Sequence, residues 1–147
     1  MKINMTWQGA MKFSATADNN AVSLDAKSPI GQGSAMTPKE LVATGLGGCT
    51  AMDVAALFKK HKQSPSTFTV DVDLDVSKGT YPTVFTKAMI TFSATGEVSK
   101  DVFVDAVTAS QTKYCGVSAM LCKAFPIHYK VILNNEKIAE GQSHFGD

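Results

Sequence analysis

Between Thr37 and Lys60 the chain reads TPKELVATGLGGCTAMDVAALFKK, and from Leu41 to Phe58 its one charged side chain is Asp53. A run of this kind has few ways to fold. It approaches the length of a membrane span, but it holds a carboxylate and three glycines, and its ends lack aromatic anchors. The reading that fits is a helix buried inside a soluble protein. Thr37-Pro38-Lys39-Glu40 opens it as a capping box, with Thr37 as N-cap, Pro38 at the first helical position and Glu40 at the third. Lys59-Lys60-His61-Lys62 suits its C-terminus, where cations meet the negative end of the helix dipole. A helix apolar almost all round must be covered on more than one side. One small sheet cannot do that, so a homodimer whose subunits wrap each other's helices is expected.

Elsewhere the apolar period is mostly two. Ile3, Met5 and Trp7 alternate, Phe13 and Ala15 follow, and Val22 and Leu24 come after Asp18-Asn19-Asn20, which predicts a three-strand meander. The stretch 28-SPIGQGSAMTP-38 is a loop into the helix. Beyond the helix, Phe68, Val70, Val72, Leu74 and Val76 alternate with Thr69, Asp71, Asp73 and Asp75, a strand with one wet face rather than a cation site. Residues 84 to 96 return as its partner. Ser99 caps a helix that carries Val102, Ala106 and Ala109 on one stripe. A short helix is predicted from near Cys115-Gly116 to Lys123, then Pro126 stops it and Ile127, Tyr129 and Val131 form a final strand. The tail from Gly141 to Asp147 is expected to fray. The order predicts an α+β fold with largely antiparallel sheet, as a single domain over residues 1–147.

A net charge of +1, from 14 lysines, no arginine and 13 acids, argues against a nucleic-acid or anionic-membrane partner. The N-terminus lacks the basic start and apolar run of a signal peptide, so a cytoplasmic location is expected. Three cysteines, an odd number, make a poor disulfide framework there. Each thiol is then either buried or reactive.

Cys122, between Leu121 and Lys123, reads as a small buried hydrophobe. Cys49 and Cys115 each stand beside a glycine, Gly48 and Gly116, where a missing side chain leaves room for a small molecule to reach sulfur. No Cys-x-x-Cys is present, and His61, His128 and His144 are scattered, so no metal or other bound cofactor is expected.

The stretch 38-PKELVATGLGGCTAMDV-54, followed by 114-YCGVSAML-121, resembles the two signature segments of the OsmC/Ohr family of thiol-dependent hydroperoxide reductases, in particular its less characterised OsmC-like branch. The order of elements fits along nearly the whole chain. The resemblance implies an OsmC-like fold in which antiparallel sheets wrap long central helices in an intertwined homodimer, with two active sites at the interface. It implies that Cys49 attacks the peroxide and Cys115 resolves the product. An external dithiol, of lipoyl type by resemblance, would be the reductant.

The better-known peroxidases of the family hold the thiolate and the peroxide with an arginine, itself held by a glutamate ten residues before the attacking cysteine. This chain has no arginine, and the glutamate's position is Lys39. Lys12 or Lys27 can supply charge but not a planar fork. Glu40, nine residues before Cys49, points about 180° away from it on a regular helix and reads as a capping residue. Lys39 either folds toward the thiolate or stays exposed. Asp53 shares a face with Cys49, where an unpaired carboxylate would raise the thiol pKa; alternatively it is a buried hydrogen-bond acceptor. The residues themselves favour Cys115 as the more acidic thiol, because it opens a helix, whereas the resemblance assigns attack to Cys49. Two functions follow. One is reduction of small organic hydroperoxides; the other is non-enzymatic binding of a small apolar or electrophilic ligand in the dimer groove.

Overall fold

The computed structural model describes residues 1–146. They fall into two compact units, divided after Val42.

The first unit is an antiparallel meander of β1 (Asn4–Trp7), β2 (Phe13–Ala17) and β3 (Asn20–Leu24). Thr16 faces Asn4 and Ala21, and Phe13 faces Trp7 and Leu24. After β3 the chain folds around Asp25, which is buried and accepts hydrogen bonds from the backbone of Ala26 and from both the backbone and hydroxyl of Ser34. The Ser34 contacts hold this carboxyl below its ordinary range. Gly31 is required here, since a Cβ would collide with the carbonyl of Ala26. Met5, Met11, Phe13, Leu24 and Pro38 line an apolar hollow of about 300 Å³ in this unit. The start of α1 (Pro38–Lys60) is closed as the capping box requires: Glu40 accepts from the Thr37 backbone at 2.8 Å, and Thr37 Oγ1 accepts from the Glu40 backbone at 3.3 Å.

The second unit is built on a four-strand sheet in the order β4 (Thr67–Val76), β5 (Phe85–Thr95), β6 (Ile127–Leu133), β7 (Glu136–Gln142). Its outer pairs are antiparallel, and β5 and β6 run parallel. A parallel pair needs a long crossover. Here it consists of α2 (Lys100–Ala109), a π-helical turn at Ser110–Tyr114 and α3 (Gly116–Leu121). Ile90 and Phe92 of β5 stand opposite Tyr129 and Val131 of β6, and all four are buried with Leu46, Val54 and Phe58 of α1 and Phe103 and Val107 of α2. Phe58, Phe68 and Phe103 meet as rings with centroids 5.2–6.1 Å apart. Truncating a ring such as Phe103 to alanine would cost about 3–5 kcal/mol. Asp71, Asp73 and Asp75 lie on the exposed face of β4, as a solvated comb should.

Two expectations are corrected. The C-terminal residues do not fray as a whole, because Gly141 and Gln142 complete β7 and Ser143 is buried; Asp147 lies outside the described residues. The long helix is less buried than its composition predicts. It is the one helix among the described residues long and apolar enough to cross a membrane, yet only the stripe Leu46, Thr50, Val54 and Phe58 is buried, while Val42 and Met52 are exposed.

Candidate functional site

Three side chains singled out in the sequence meet in the second unit. Cys49 stands in the middle of α1, Asp53 one turn further on, and Cys115 at the N-cap of α3. The two sulfurs and a carboxylate oxygen of Asp53 all lie within 4.8 Å of one another. The i to i+4 spacing stacks Cys49 and Asp53 on one face of the helix, and the crossover brings Cys115 against them. Both cysteines are free thiols, Cys49 half-buried and Cys115 fully buried.

Cys115 does cap a helix, and its sulfur accepts from the Ser118 backbone at 3.3 Å. The acidity expected from that position is nevertheless overturned. Burial removes water from the thiolate and pushes Cys115 up to about 11; the Ser118 bonds pull it down, and Cys49 raises it further. A helix of one and a half turns has little dipole with which to offset desolvation.

Asp53 is the end of a buried polar chain. Its Oδ2 accepts from Ser110 Oγ at 2.9 Å, Ser110 and Thr50 hydroxyls are 2.7 Å apart, and Gln111 Nε2 donates to Thr50 Oγ1 at 2.6 Å. Each hydroxyl has one proton to give. With Ser110 donating to Asp53, the direction is fixed: Gln111 donates to Thr50, Thr50 to Ser110, and Ser110 to Asp53. Ser143 Oγ closes the far end by donating to Gln111 Oε1 at 2.6 Å. Ser110 and Gln111 are sequence neighbours and both fully buried, which the wider π turn permits. Asp53 is therefore the hydrogen-bond acceptor that was one of its two expected roles.

The two glycines before Cys49 differ in their surroundings. A Cβ on Gly48 would meet nothing within 4 Å, whereas one on Gly47 would press on Val72 of β4 at 2.9 Å. Gly47 and Gly48, with Ala43, Thr44, Ala51, Val70 and Val72, line a groove of about 430 Å³ between α1 and β4, on the side of the helix roughly opposite Cys49.

Lys12, Lys27, Lys39 and Glu40 belong to the first unit. Glu40 is engaged by the cap and by Lys27, whose Nζ is 2.6 Å from Oε1; the lysine, with the Thr37 bonds, lowers its pKa to about 2. Lys12 is half-buried and Lys39 exposed. Cys122 is half-buried and donates to the Ala119 carbonyl at 3.5 Å. Thr50, Gln111 and Ser143 escaped the sequence reading, and Ser110, readable on a helix stripe with Phe103 and Val107, carries no site role there. The available signal was the placing of polar side chains on apolar helix stripes, Thr50 in line with Leu46 and Val54, and Ser110 in line with Phe103 and Val107.

The profile of a protein family described as OsmC-like protein matches residues 31–130. Protein YhfA of Escherichia coli (strain K12) is 31% identical over 139 residues, which is 90% of this chain and 98% of that protein. Among solved structures, an OsmC-like protein from Mycoplasma pneumoniae superposes with a TM-score of 0.77 at 13% identity, covering 90% of this chain and 95% of its own. An organic hydroperoxide resistance protein from Elizabethkingia anophelis, with crystallant-derived thiocyanate bound, superposes at 0.62 with 16% identity, covering 92% and 97%. At these identities the two structures speak for the shared fold.

Proposed function

The chain belongs to the OsmC-like protein family, and from that premise we propose that it reduces organic hydroperoxides with the Cys49 and Cys115 thiols, as a cytoplasmic oxidative-stress enzyme. The observation that carries the reading is the approach of the two sulfurs to within 4.8 Å from distant parts of the chain. In the cycle, the Cys49 thiolate attacks the peroxide O–O bond, becoming a sulfenic acid while the alkoxide leaves and takes a proton as the alcohol. Cys115 then attacks the sulfenic sulfur, its own proton departing with the sulfenic oxygen as water, and a disulfide forms. An external dithiol such as a lipoyl group returns both thiols and becomes a disulfide itself. One peroxide and one dithiol give one alcohol, one water and one oxidised dithiol.

The structure supports this order of roles through exposure. Cys49 is half-buried, whereas Cys115 is fully buried and protonated at neutral pH. A resolving thiol needs only to reach the sulfenic acid, so burial suits it. Lys12 and Lys39 are the cations proposed to assist, in the absence of arginine, with Glu40 serving the helix cap and Asp53 the placing of the thiol pair. The family match runs across the division between the two units, which supports reading residues 1–147 as one OsmC-like domain. The exposed apolar side chains of α1 and of the meander support an intertwined homodimer, and the near-balanced charge supports partners other than nucleic acid or an anionic membrane.

The lack of arginine favours a second reading, in which the dimer groove binds a small apolar or electrophilic molecule without efficient turnover. Purified protein given cumene hydroperoxide with dihydrolipoamide or dithiothreitol separates the two. The enzyme reading predicts turnover that the Cys49→Ser/Cys115→Ser double variant lacks; equal rates in both would remove it.

A further inference from the structure

We infer that Cys49, Asp53 and Cys115 form a site for one thiophilic divalent cation, of which Zn2+ is the expected occupant. Their three donor atoms already lie within 4.8 Å of one another. In a tetrahedral zinc site, with Zn–S near 2.3 Å and Zn–O near 2.0–2.2 Å, donor atoms stand roughly 3.5–3.8 Å apart. Closing the set therefore requires side-chain movements of about 1 Å, within reach of rotamer adjustment. Two sulfurs and one oxygen select a soft or borderline ion and reject Mg2+ and Ca2+, which need oxygen donors throughout. Three protein donors leave the fourth position for water or a small anion, the pattern of zinc sites that exchange ligands.

The surroundings are those of an oriented ligand set. Metal-binding carboxylates are commonly fixed by an outer hydrogen bond. Asp53 has one from Ser110, backed by Thr50, Gln111 and Ser143, which leaves its other oxygen free of that chain. Cys115 is fixed by the Ser118 backbone N–H. Binding balances simply: each thiol releases a proton to solvent, the carboxylate brings its existing charge, and the cation with two thiolates and one carboxylate carries a net charge of −1. The expectation of no metal rested on ligand spacing along the chain. This set escapes it because Cys115 reaches the others only through the crossover. Peroxide chemistry has no part in the inference, but a bound cation and a Cys49–Cys115 disulfide would exclude one another, since both use the same sulfur electrons.

The test uses the full chain, reduced and stripped by chelator, titrated anaerobically with Co2+ and then Zn2+. The expected result is one Co2+ per chain with thiolate-to-cobalt charge-transfer absorption and tetrahedral d–d bands, bleached by one equivalent of Zn2+, with protons released on binding. Zn2+ should also protect Cys49 and Cys115 from iodoacetamide in the wild-type chain, a readout that requires no variant to fold. Asp53→Asn should weaken binding by about tenfold or more, Cys49→Ser should cut the thiolate-to-cobalt absorption by about half or more, and Cys122→Ser should leave it unchanged. Wild-type protein that shows no thiolate-to-cobalt absorption, or absorption undiminished in Cys49→Ser, would overturn the inference. Peroxide turnover is not read in this experiment, so its outcome bears on the metal alone.

Discussion

Ser110 donates its hydroxyl proton to Asp53 across 2.9 Å, tying the π turn to the helix that carries Cys49. Removing that hydroxyl leaves Asp53 without its donor and the Thr50 hydroxyl proton without its acceptor. Ser110→Ala should therefore destabilise the fold by about 1–3 kcal/mol, the cost of an unmet buried polar group. Chemical denaturation checks this. Ser110→Thr, which keeps the hydroxyl, should recover part of the loss if the hydrogen bond is the cause.

Burial and high pKa make Cys115 the slower of the paired thiols toward an external electrophile. At pH 7–8, peptide mapping after brief iodoacetamide treatment should show carbamidomethyl on Cys49 well before Cys115. The same shift predicts a pH effect on stability. Cys115 is raised in the folded chain to about 11, so between the unfolded thiol's pKa of about 8.5 and 11 the unfolded chain gives up its proton first. The stabilising contribution is complete below about pH 8.5 and is lost as pH rises through that window. Wild type should lose stability across it faster than Cys115→Ala.

The capping box should be worth about 1 kcal/mol through Thr37, measured as the loss in Thr37→Ala. Glu40 responds to acid instead. Its folded pKa lies below the unfolded value, so its contribution is present above about pH 4.3 and fades as pH falls toward 2. Glu40→Gln keeps the box and loses the Lys27 pair, so its small deficit relative to wild type should shrink over that interval. It should also leave any peroxidase rate nearly intact, since glutamine serves the same cap.

The proposed intertwined dimer is open to sedimentation. Val42 and Met52 on α1, and Met5, Met11, Phe13 and Trp7 in the meander, are apolar and exposed in the single chain. A homodimer that persists on dilution is expected; a stable, folded monomer would show that this surface needs no partner.

Much of the fold was legible because period, caps and turns are local. The alternation from Phe68 to Val76 predicts β4, Thr37 and Glu40 mark the start of α1, and Ser99 caps α2 with its Oγ 3.4 Å from the Val102 backbone. The strand β7 was not legible. It is an edge strand with only Ile138 and Ala139 as half-buried apolar anchors, too few to print a period. The missed signal was Asn134-Asn135, both with positive φ, a pair suited to a two-residue hairpin turn. The π turn at Ser110 depends on packing that no local pattern records. At the site, the pairing of Cys49 with Cys115 came from resemblance, and the i to i+4 step placed Asp53 beside Cys49. The acidity of Cys115 was misread because a helix start is visible in the sequence and burial is not. The chain of hydroxyls and amide behind Asp53 joins α1, the π turn and Ser143, positions whose proximity exists only in the fold.

The most direct test of the two-thiol account is the intact mass of reduced, metal-free protein after one equivalent of cumene hydroperoxide. The account predicts a fall of about 2 Da, the two hydrogens lost in forming the Cys49–Cys115 disulfide, with Cys115→Ser instead gaining oxygen at Cys49. An unchanged wild-type mass, or rapid oxidation of Cys115 in the Cys49→Ser variant, would contradict it.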